Sequence, residues 1–332
     1  MPPNYSDNWQ NKIFSVQTSE EFNALSIEIF QYQAANNPVY KKYIELLKIN
    51  INKISKPEEI PFLPIDFFKT HEIKTGDFVP QEVFLSSGTT GQIQSKHFVR
   101  EISAYEKSFQ LCFNRFYKEE NQYCILALLP SYMQREGSSL IYMVHALINN
   151  SNNKNSGFFL SDTSRLIDIL NENELSQTPT LLLGVTYALL DIIEKNKLNL
   201  NHTIVMETGG MKGRRKEIVR EELHQILCEG FGVQTIHSEY GMTELLSQAY
   251  SKGKGIFYCP PWMKIFIRDV NDFKKLLPTE YTGGINVIDL ANVNSCSFIA
   301  TQDLGKLNAN DGFEVLGRFD YSDLRGCNLL VG

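Results

Sequence analysis

A short loop of small polar side chains and glycine is the most distinctive feature of the chain. It reads Ser86-Ser87-Gly88-Thr89-Thr90-Gly91, follows the apolar segment Val83–Leu85 and precedes Lys96. Because this loop has few bulky side chains, its backbone N–H groups can converge on an anion, and its hydroxyl groups add hydrogen-bond donors. The loop matches neither G-x-x-x-x-G-K-[ST] nor G-x-G-x-x-G. It predicts a phosphate site that the charge of Lys96 would suit, with an ordinary hairpin turn as the alternative.

Four further segments share a second pattern, in which glycine and polar residues follow a predicted strand. Open α/β sheets build ligand sites at such positions. The segments are Glu207–Gly213, Ser238–Glu244, Thr301–Gly305 and Gly317–Asp320. Taken singly they have structural alternatives, because Tyr240 suits a core, Asp303 a turn and Arg318 a surface ion pair.

The elements around these motifs alternate between short apolar strands and helices. This alternation predicts an α/β fold with a large, mostly parallel sheet and flanking helices. The predicted strands are 123–129, 178–183, 203–206 and 233–237, and the predicted helices are 138–149, 163–170, 187–196 and 214–229, the last ending at Gly230. We expect a helical N-terminal segment and the α/β domain within 1–254.

From about residue 255 the pattern changes to strands without helices. Residues 255–332 therefore predict a small β-rich C-terminal subdomain. Its predicted turns are Thr282-Gly283-Gly284 and Asn310-Asp311-Gly312, since such residues favour tight hairpin turns. The motif T-Q-D-L-G is placed by this pattern at the end of the strand Ser297–Thr301.

Composition excludes several classes of protein. A net charge of −6 argues against a nucleic-acid partner, and the apolar runs are too short to span a membrane. The N-terminus lacks a signal-peptide pattern. Six widely separated cysteines without C-x-x-C indicate neither a disulfide framework nor a zinc site. We therefore expect a cytoplasmic protein with free thiols.

The motifs, taken in chain order, resemble the adenylate-forming superfamily of acyl-CoA synthetases, luciferases and adenylation domains. S-S-G-T-T-G, Y-G-M-T-E, T-Q-D-L-G and G-R-F-D occur in the order of that family, and the resemblance covers residues 81–320. It is closest to a short branch with phenylacetate-CoA ligases and acyl-protein synthetases, and the segments 62–69, 207–215 and 325–329 most resemble acyl-protein synthetases. Acyl-protein synthetases are the fatty-acid-activating subunits of the luminescence fatty acid reductase complex.

The resemblance implies an ATP site. Its implied cofactor-binding residues are Ser86, Ser87, Gly88, Thr89, Thr90, Gly91, Gly209, Gly210, Tyr240, Gly241, Asp303 and Arg318. The first six would surround the phosphates. Gly209 and Gly210 would form one wall of the adenine pocket, and Tyr240 would stack on the base. Asp303 would accept hydrogen bonds from the ribose hydroxyls, with Arg318 close by.

The resemblance also implies a catalytic set of four residues. Thr243 would bond the α-phosphate, and Glu244 would hold Mg²⁺, which prefers carboxylate and phosphate oxygens. Lys96 lies farther from its loop than in the usual S-S-G-T-T-G-x-P-K form. Cys327 would accept the acyl group, since a thiolate is nucleophilic near neutral pH.

The implied activity is a ligase that uses ATP and Mg²⁺ to convert a fatty acid into an acyl-adenylate. The acyl group would pass to a protein thiol and then to an acyl-CoA reductase, an acyl carrier protein or CoA. Because the sequence ends at Gly332, we expect the mobile C-terminal lid domain of the superfamily to be absent. The alternatives are an acyltransferase that uses acyl-CoA or acyl-carrier-protein thioesters without adenylation, and a non-catalytic nucleotide- or acyl-binding subunit.

Overall fold

The computed structural model describes residues 5–87, 93–130, 137–209 and 218–318. Its α-helices are α1 (Tyr5–Phe14), α2 (Ser19–Asn36), α3 (Pro38–Leu46), α4 (Phe67–Thr70), α5 (Ile102–Phe116), α6 (Ser139–Asn150), α7 (Thr163–Leu175), α8 (Thr186–Lys195) and α9 (Arg220–Phe231). Its strands are β1 (Leu63–Pro64), β2 (Glu82–Leu85), β3 (Lys96–Val99), β4 (Cys124–Leu128), β5 (Gly157–Phe158), β6 (Thr180–Val185), β7 (Thr203–Thr208), β8 (His237–Tyr240), β9 (Ala249–Ser251), β10 (Ile256–Phe257), β11 (Met263–Arg268), β12 (Thr282–Asp289), β13 (Phe298–Leu307) and β14 (Phe313–Arg318). No described helix is long and apolar enough to cross a lipid bilayer.

The described residues form two compact units. The first takes those within 1–80, 97–100 and 261–332, and the second those within 81–96 and 101–260. We refer to them as the β-rich unit and the α/β unit. The predicted α/β fold with a β-rich C-terminal part is confirmed.

The α/β unit is built on a six-stranded sheet in the order β5-β4-β6-β7-β8-β9. Strands β5, β4, β6, β7 and β8 run parallel, and β9 is antiparallel to β8. Every residue of β4 and β6 is buried, which explains their nearly continuous apolar sequences, C-I-L-A-L and T-L-L-L-G-V. Because the first five strands are parallel, their carboxyl ends lie at one edge of the sheet.

The β-rich unit is built on the antiparallel strands β11-β12-β13-β14, with the short β1 parallel to β13. The N-terminal helices belong to this unit, whereas the sequence analysis grouped them with the α/β domain. Gln33 of α2 donates from Nε2 to the carbonyls of Asn292 and Val293, both at 3.0 Å. Tyr40 of α3 stacks on Phe298 with ring centroids 6.1 Å apart. These contacts join residues more than 250 positions apart, beyond the reach of a local pattern.

Several predicted element boundaries are wrong in an informative way. The strand predicted at 233–237 forms instead as β8 at His237–Tyr240, whose polar residues Ser238, Glu239 and Tyr240 are buried and whose first three residues pair with β7. Helix α9 ends at Phe231 and is followed by Gly232 in the left-handed conformation, at φ 68°. Gly230 instead lies inside the helix, where a Cβ would come 2.5 Å from the Cβ of Ile193. The predicted start of this helix, at 214, is outside the described residues.

One predicted polar turn, and one polar segment predicted to follow a strand, are strand residues. Thr282-Gly283-Gly284 opens β12, where a Cβ at Gly283 would come 2.2 Å from the carbonyl oxygen of Arg268. Thr301-Gln302-Asp303-Leu304-Gly305 continues β13. The predicted turn at Asn310-Asp311-Gly312 is confirmed, since it connects β13 to β14 and Asp311 has φ 58°.

Candidate functional site

Ser86 closes the base of the predicted phosphate loop directly after β2. Its N–H donates to the Ser95 carbonyl at 3.1 Å, and its hydroxyl accepts from the Ser95 N–H at 2.9 Å. Gln94 donates to the Ser86 carbonyl at 2.7 Å. Ser87 and Lys96 are exposed on either side of this closure. The remaining loop residues, Gly88, Thr89, Thr90 and Gly91, lie outside the described residues.

Gly209 and Tyr240 occupy neighbouring positions at the carboxyl edge of the parallel sheet. Thr208, the last residue of β7, is the register partner of Glu239 of β8, and Gly209 and Tyr240 are the next residues in the chain. Gly209 has φ 64°, a conformation that only glycine adopts without strain. The Thr186 hydroxyl donates to the Gly209 carbonyl at 2.8 Å. The sheet therefore brings two predicted adenine-site residues together; Gly210 is outside the described residues.

Tyr240 is buried, and its ring meets the Phe257 ring edge-on with centroids 6.0 Å apart. Gly241 follows at an exposed position. A Cβ at Gly241 would come 2.5 Å from Oε1 of Glu239. Packing alone thus explains the glycine in Y-G-M-T-E, because any larger residue would clash with the Glu239 carboxyl group.

Thr243 and Glu244 lie in a turn that follows β8. Leu245 donates to the Met242 carbonyl at 3.1 Å, so this segment is a turn and Glu244 does not cap a helix. Glu244 is 5% exposed. No group of three or more His, Cys, Asp or Glu that could hold a metal exists among the described residues. One buried carboxylate fits Mg²⁺, which proteins usually bind through one or two carboxylates and the phosphates of a substrate.

An ionic cluster around buried Glu207, at the ends of β7 and β8, was not predicted from the sequence. Nη1 of Arg220 is hydrogen-bonded to Oε1 of Glu207, and His224 Nε2 lies 3.6 Å from the same oxygen. Arg220 Nη1 also donates to the Ser238 hydroxyl at 3.4 Å. Burial raises the pKa of Glu207, but the His224 hydrogen bond and the Arg220 charge outweigh it, so the net pKa is lowered. Arg220 and His224 share a helix face at i, i+4 spacing, but nothing local identifies Glu207 as their partner.

Glu239 is a second buried carboxyl group that the sequence analysis did not single out. Thr208 donates its hydroxyl to Oε2 of Glu239 at 2.5 Å. Burial raises the pKa of Glu239 to about 7, opposed by the Thr208 hydrogen bond and reinforced by the charge of Glu207. The α/β unit therefore holds one carboxyl group with a lowered pKa and one with a raised pKa on adjacent strands.

Asp303 and Arg318 come together within the β-rich unit. They are register partners on β13 and β14, and Arg318 Nε lies 3.3 Å from Asp303 Oδ1. The Asp303 N–H donates to the Thr301 hydroxyl at 3.1 Å, and buried Arg268 donates from Nη2 to the Thr301 carbonyl at 2.5 Å. Asp303 thus lies within a strand, not in the turn that was the structural alternative for this residue.

Cys327 lies outside the described residues, so its role stays a prediction. Among the described cysteines, Cys112, Cys124 and Cys296 are buried, whereas Cys228 and Cys259 are partly exposed. Burial raises the pKa of the Cys124 and Cys228 thiols, and that of Cys296 to about 12. These three thiols are therefore poor nucleophiles near neutral pH.

Solved structures with similar folds include MatB and a 2-hydroxyisobutyryl-CoA ligase. ATP-bound MatB from Rhodopseudomonas palustris matches with a TM-score of 0.54 and 18% identity, over 71% of this chain and 47% of that chain. A 2-hydroxyisobutyryl-CoA ligase in complex with 2-HIB-AMP and CoA matches with a TM-score of 0.63 and 11% identity, over 92% and 70%. The chain thus spans about half of the MatB chain that it matches. At these identities the likeness shows the fold alone.

The family follows from the sequence itself. No curated protein matches the chain. Residues 2–332, nearly the whole chain, match the profile of the family described as acyl-protein synthetase, LuxE. The chain therefore belongs to the acyl-protein synthetase (LuxE) family.

Proposed function

We propose that this chain is an ATP-dependent acyl-activating ligase of the acyl-protein synthetase type. Family membership over residues 2–332 supports the reaction class. The observation that carries the proposal is the carboxyl edge of the parallel sheet, where Gly209, held at φ 64°, neighbours Tyr240 and buried Glu244 follows four residues later. Ligands of open α/β sheets bind at this edge.

The first step joins a substrate carboxylate to the α-phosphorus of ATP and releases pyrophosphate, which gives an acyl-adenylate. In the second step a thiolate attacks the acyl carbon, a thioester forms, and AMP leaves. Two anions meet in the first step, so the site must neutralise charge with fixed dipoles and cations. Mg²⁺ supplies part of that charge when bound.

The chain's own residues have separate tasks in this proposal. Ser86, Ser87 and the glycine-threonine loop bind the phosphates, with Lys96 as the nearby cation. Thr243 bonds the α-phosphate and Glu244 holds Mg²⁺. In the β-rich unit, Asp303 accepts from the ribose hydroxyls, and Arg318 orients the Asp303 carboxylate through their ion pair.

The substrate is a fatty acid, of long chain by the family resemblance, and the first acyl acceptor is the chain's own Cys327. An acyl-CoA reductase, an acyl carrier protein or CoA then receives the acyl group. Family membership supports a carboxylic acid and a protein acceptor. The raised pKa values of Cys124, Cys228 and Cys296 leave these thiols poor competitors for the acyl group.

The decisive experiment is fatty-acid-dependent exchange of labelled pyrophosphate into ATP by the purified protein. We expect exchange that needs both the fatty acid and Mg²⁺. Glu244→Gln should lower the exchange rate by at least about tenfold, because a neutral amide is a weaker Mg²⁺ ligand than a carboxylate. Glu119→Gln is the matched control, since Glu119 is exposed in the same unit.

Two outcomes would contradict the proposal. If no exchange occurs but acyl-CoA or acyl carrier protein donates its acyl group to the chain, the protein is an acyltransferase. If neither reaction occurs and nucleotide or fatty acid only binds, the chain is a binding subunit.

A further inference from the structure

We infer that Arg220 and Phe257 are positioning residues for the nucleotide base. Together with Glu207 they form a line of contacts that runs from the end of β7 to the ring of Tyr240. The line holds the two strand ends that carry Gly209 and Tyr240 in one arrangement. The identity of the ligand rests on the proposed function, whereas the contacts themselves do not.

The first contact joins β7 to helix α9. Glu207, two residues before Gly209, is buried, and Nη1 of Arg220 is hydrogen-bonded to it. The same Nη1 lies 3.4 Å from the Ser238 hydroxyl of β8. One guanidinium group therefore touches both strands just before they reach the sheet edge. Removing its charge would leave Glu207 buried without its cation, which is strongly destabilising.

The second contact places the Arg220 guanidinium group over the ring of Phe257 of β10. The guanidinium carbon lies 5.1 Å from the ring centroid, within the range of a cation–π contact. Gly255 provides the space, because a Cβ there would come 2.7 Å from Cδ of Arg220. Arg220 Nε is buried with no hydrogen-bond partner among the described residues. The contact with the ring face rather than a full set of hydrogen bonds thus orients the group, and lysine lacks the planar guanidinium group that makes this contact.

The third contact places Phe257 against Tyr240. Their ring centroids are 6.0 Å apart with an interplanar angle of 62°, an edge-to-face arrangement. Because Phe257 has the guanidinium group over its ring and Tyr240 near it, movement of Arg220 is transmitted to the tyrosine ring. A tyrosine that stacks on a base must keep its ring plane fixed. This contact should therefore affect binding of the nucleotide base and not binding of the phosphates.

The test separates the base from the phosphates by comparing ATP with inorganic tripolyphosphate. Phe257→Leu removes the aromatic face with little loss of volume, and Arg220→Lys keeps the charge beside Glu207 but removes the plane. We expect each to raise the Kd for ATP by about tenfold in calorimetric titration and to leave tripolyphosphate binding unchanged. Lys154→Met is the matched control, because it removes an exposed cation of the same unit, outside the line of contacts.

A second measurement needs no ligand. Hydrogen exchange of the backbone amides at 207–209 and 237–240 should be faster in Phe257→Leu and Arg220→Lys than in the wild type, and unchanged in Lys154→Met. Unchanged exchange in the first two variants would overturn the inference. So would equal weakening of ATP and tripolyphosphate, which indicates a general loss of structure. A wild-type protein that binds no ATP contradicts the proposed function instead, and faster exchange would then still support the contact line between the strands.

Discussion

Asp303 and Arg318 face each other across β13 and β14, and the Arg318 guanidinium nitrogen Nε lies 3.3 Å from the Asp303 carboxylate oxygen Oδ1. The two residues belong to separate sequence motifs, and the sheet register makes them one pair. The Asp303 side chain is 12% exposed and the Arg318 side chain 72% exposed. An ion pair with so exposed a partner adds little stability, which indicates that the pair serves to orient the carboxylate.

Arg318→Met should change the free energy of unfolding by less than about 1 kcal/mol, because the pair is screened by solvent. Asp303→Asn should weaken ATP binding at least about tenfold, since a charge-assisted hydrogen bond contributes on the order of 1.5–3 kcal/mol. Denaturant unfolding and calorimetric titration measure the two effects. Early unfolding of Asp303→Asn with normal affinity in the folded fraction would show that Asp303 is only structural.

Gly209→Ala should lower both stability and nucleotide affinity. Alanine at φ 64° costs about 1–2 kcal/mol of backbone strain, and any relaxation moves the carbonyl held by Thr186. Gly76→Ala is the matched control, because Gly76 has φ 82° and a Cβ there meets nothing closer than 3.7 Å. We expect a similar stability loss in both variants and an affinity loss only in Gly209→Ala. Equal ATP affinity in the two variants would remove Gly209 from the site.

Glu239 should make the protein less stable as the pH rises from about 4.5 to 7. Burial raises the pKa of Glu239 from 4.5 to about 7. The unfolded chain therefore ionises at a lower pH than the folded protein, and the free energy of unfolding falls over this pH range. The loss is on the order of 3 kcal/mol at full ionisation. It should be absent in Glu239→Gln, a neutral isostere that still accepts from Thr208. The comparison is the unfolding free energy of both proteins across this pH range; parallel curves would refute the raised pKa.

His237, at the start of β8, should make the protein less stable as the pH falls, which is the opposite of the pH dependence expected for Glu239. Burial, with the nearby charge of Lys252, lowers the pKa of His237 to about 4, and its Nδ1 lies 3.0 Å from the Tyr117 hydroxyl. Its contribution to stability is complete above pH 6.5 and is lost as the pH falls toward 4, because the unfolded chain takes up the proton first. NMR titration of the imidazole protons should give a midpoint near 4. A midpoint near 6.5 would mean that the ring is solvated.

Cys327→Ser should abolish the acyl-enzyme and leave acyl-adenylate formation intact. Incubation with fatty acid, ATP and Mg²⁺ should add a hydroxylamine-labile acyl mass to the peptide that contains Cys327, because thioesters are cleaved by hydroxylamine. Cys259→Ser is the control, since Cys259 is a partly exposed free thiol. An adduct that persists in Cys327→Ser, or that maps to Cys259, would exclude Cys327 as the acceptor.

The residue pattern was sufficient to predict strands that are buried on both faces and to identify the family from motifs that are contiguous in the sequence. Strands β4 and β6 were predictable because both faces are buried, so their apolar residues run almost without interruption. The phosphate loop, Y-G-M-T-E and the T-Q-D-L-G and G-R-F-D motifs pointed to the family, which the match over residues 2–332 confirms. These features depend on neighbours within a few positions.

Only the tertiary structure decided where buried polar groups belong. The polar strand β8 is stable because its neighbour β7 and helix α9 supply partners for Glu239 and Ser238. Gln33 joins the N-terminal helices to a loop more than 250 residues away, which reversed their expected grouping. Burying a polar side chain is costly unless a specific partner meets it. Such partners are distant in sequence, so a local pattern of apolar and polar residues cannot reveal them.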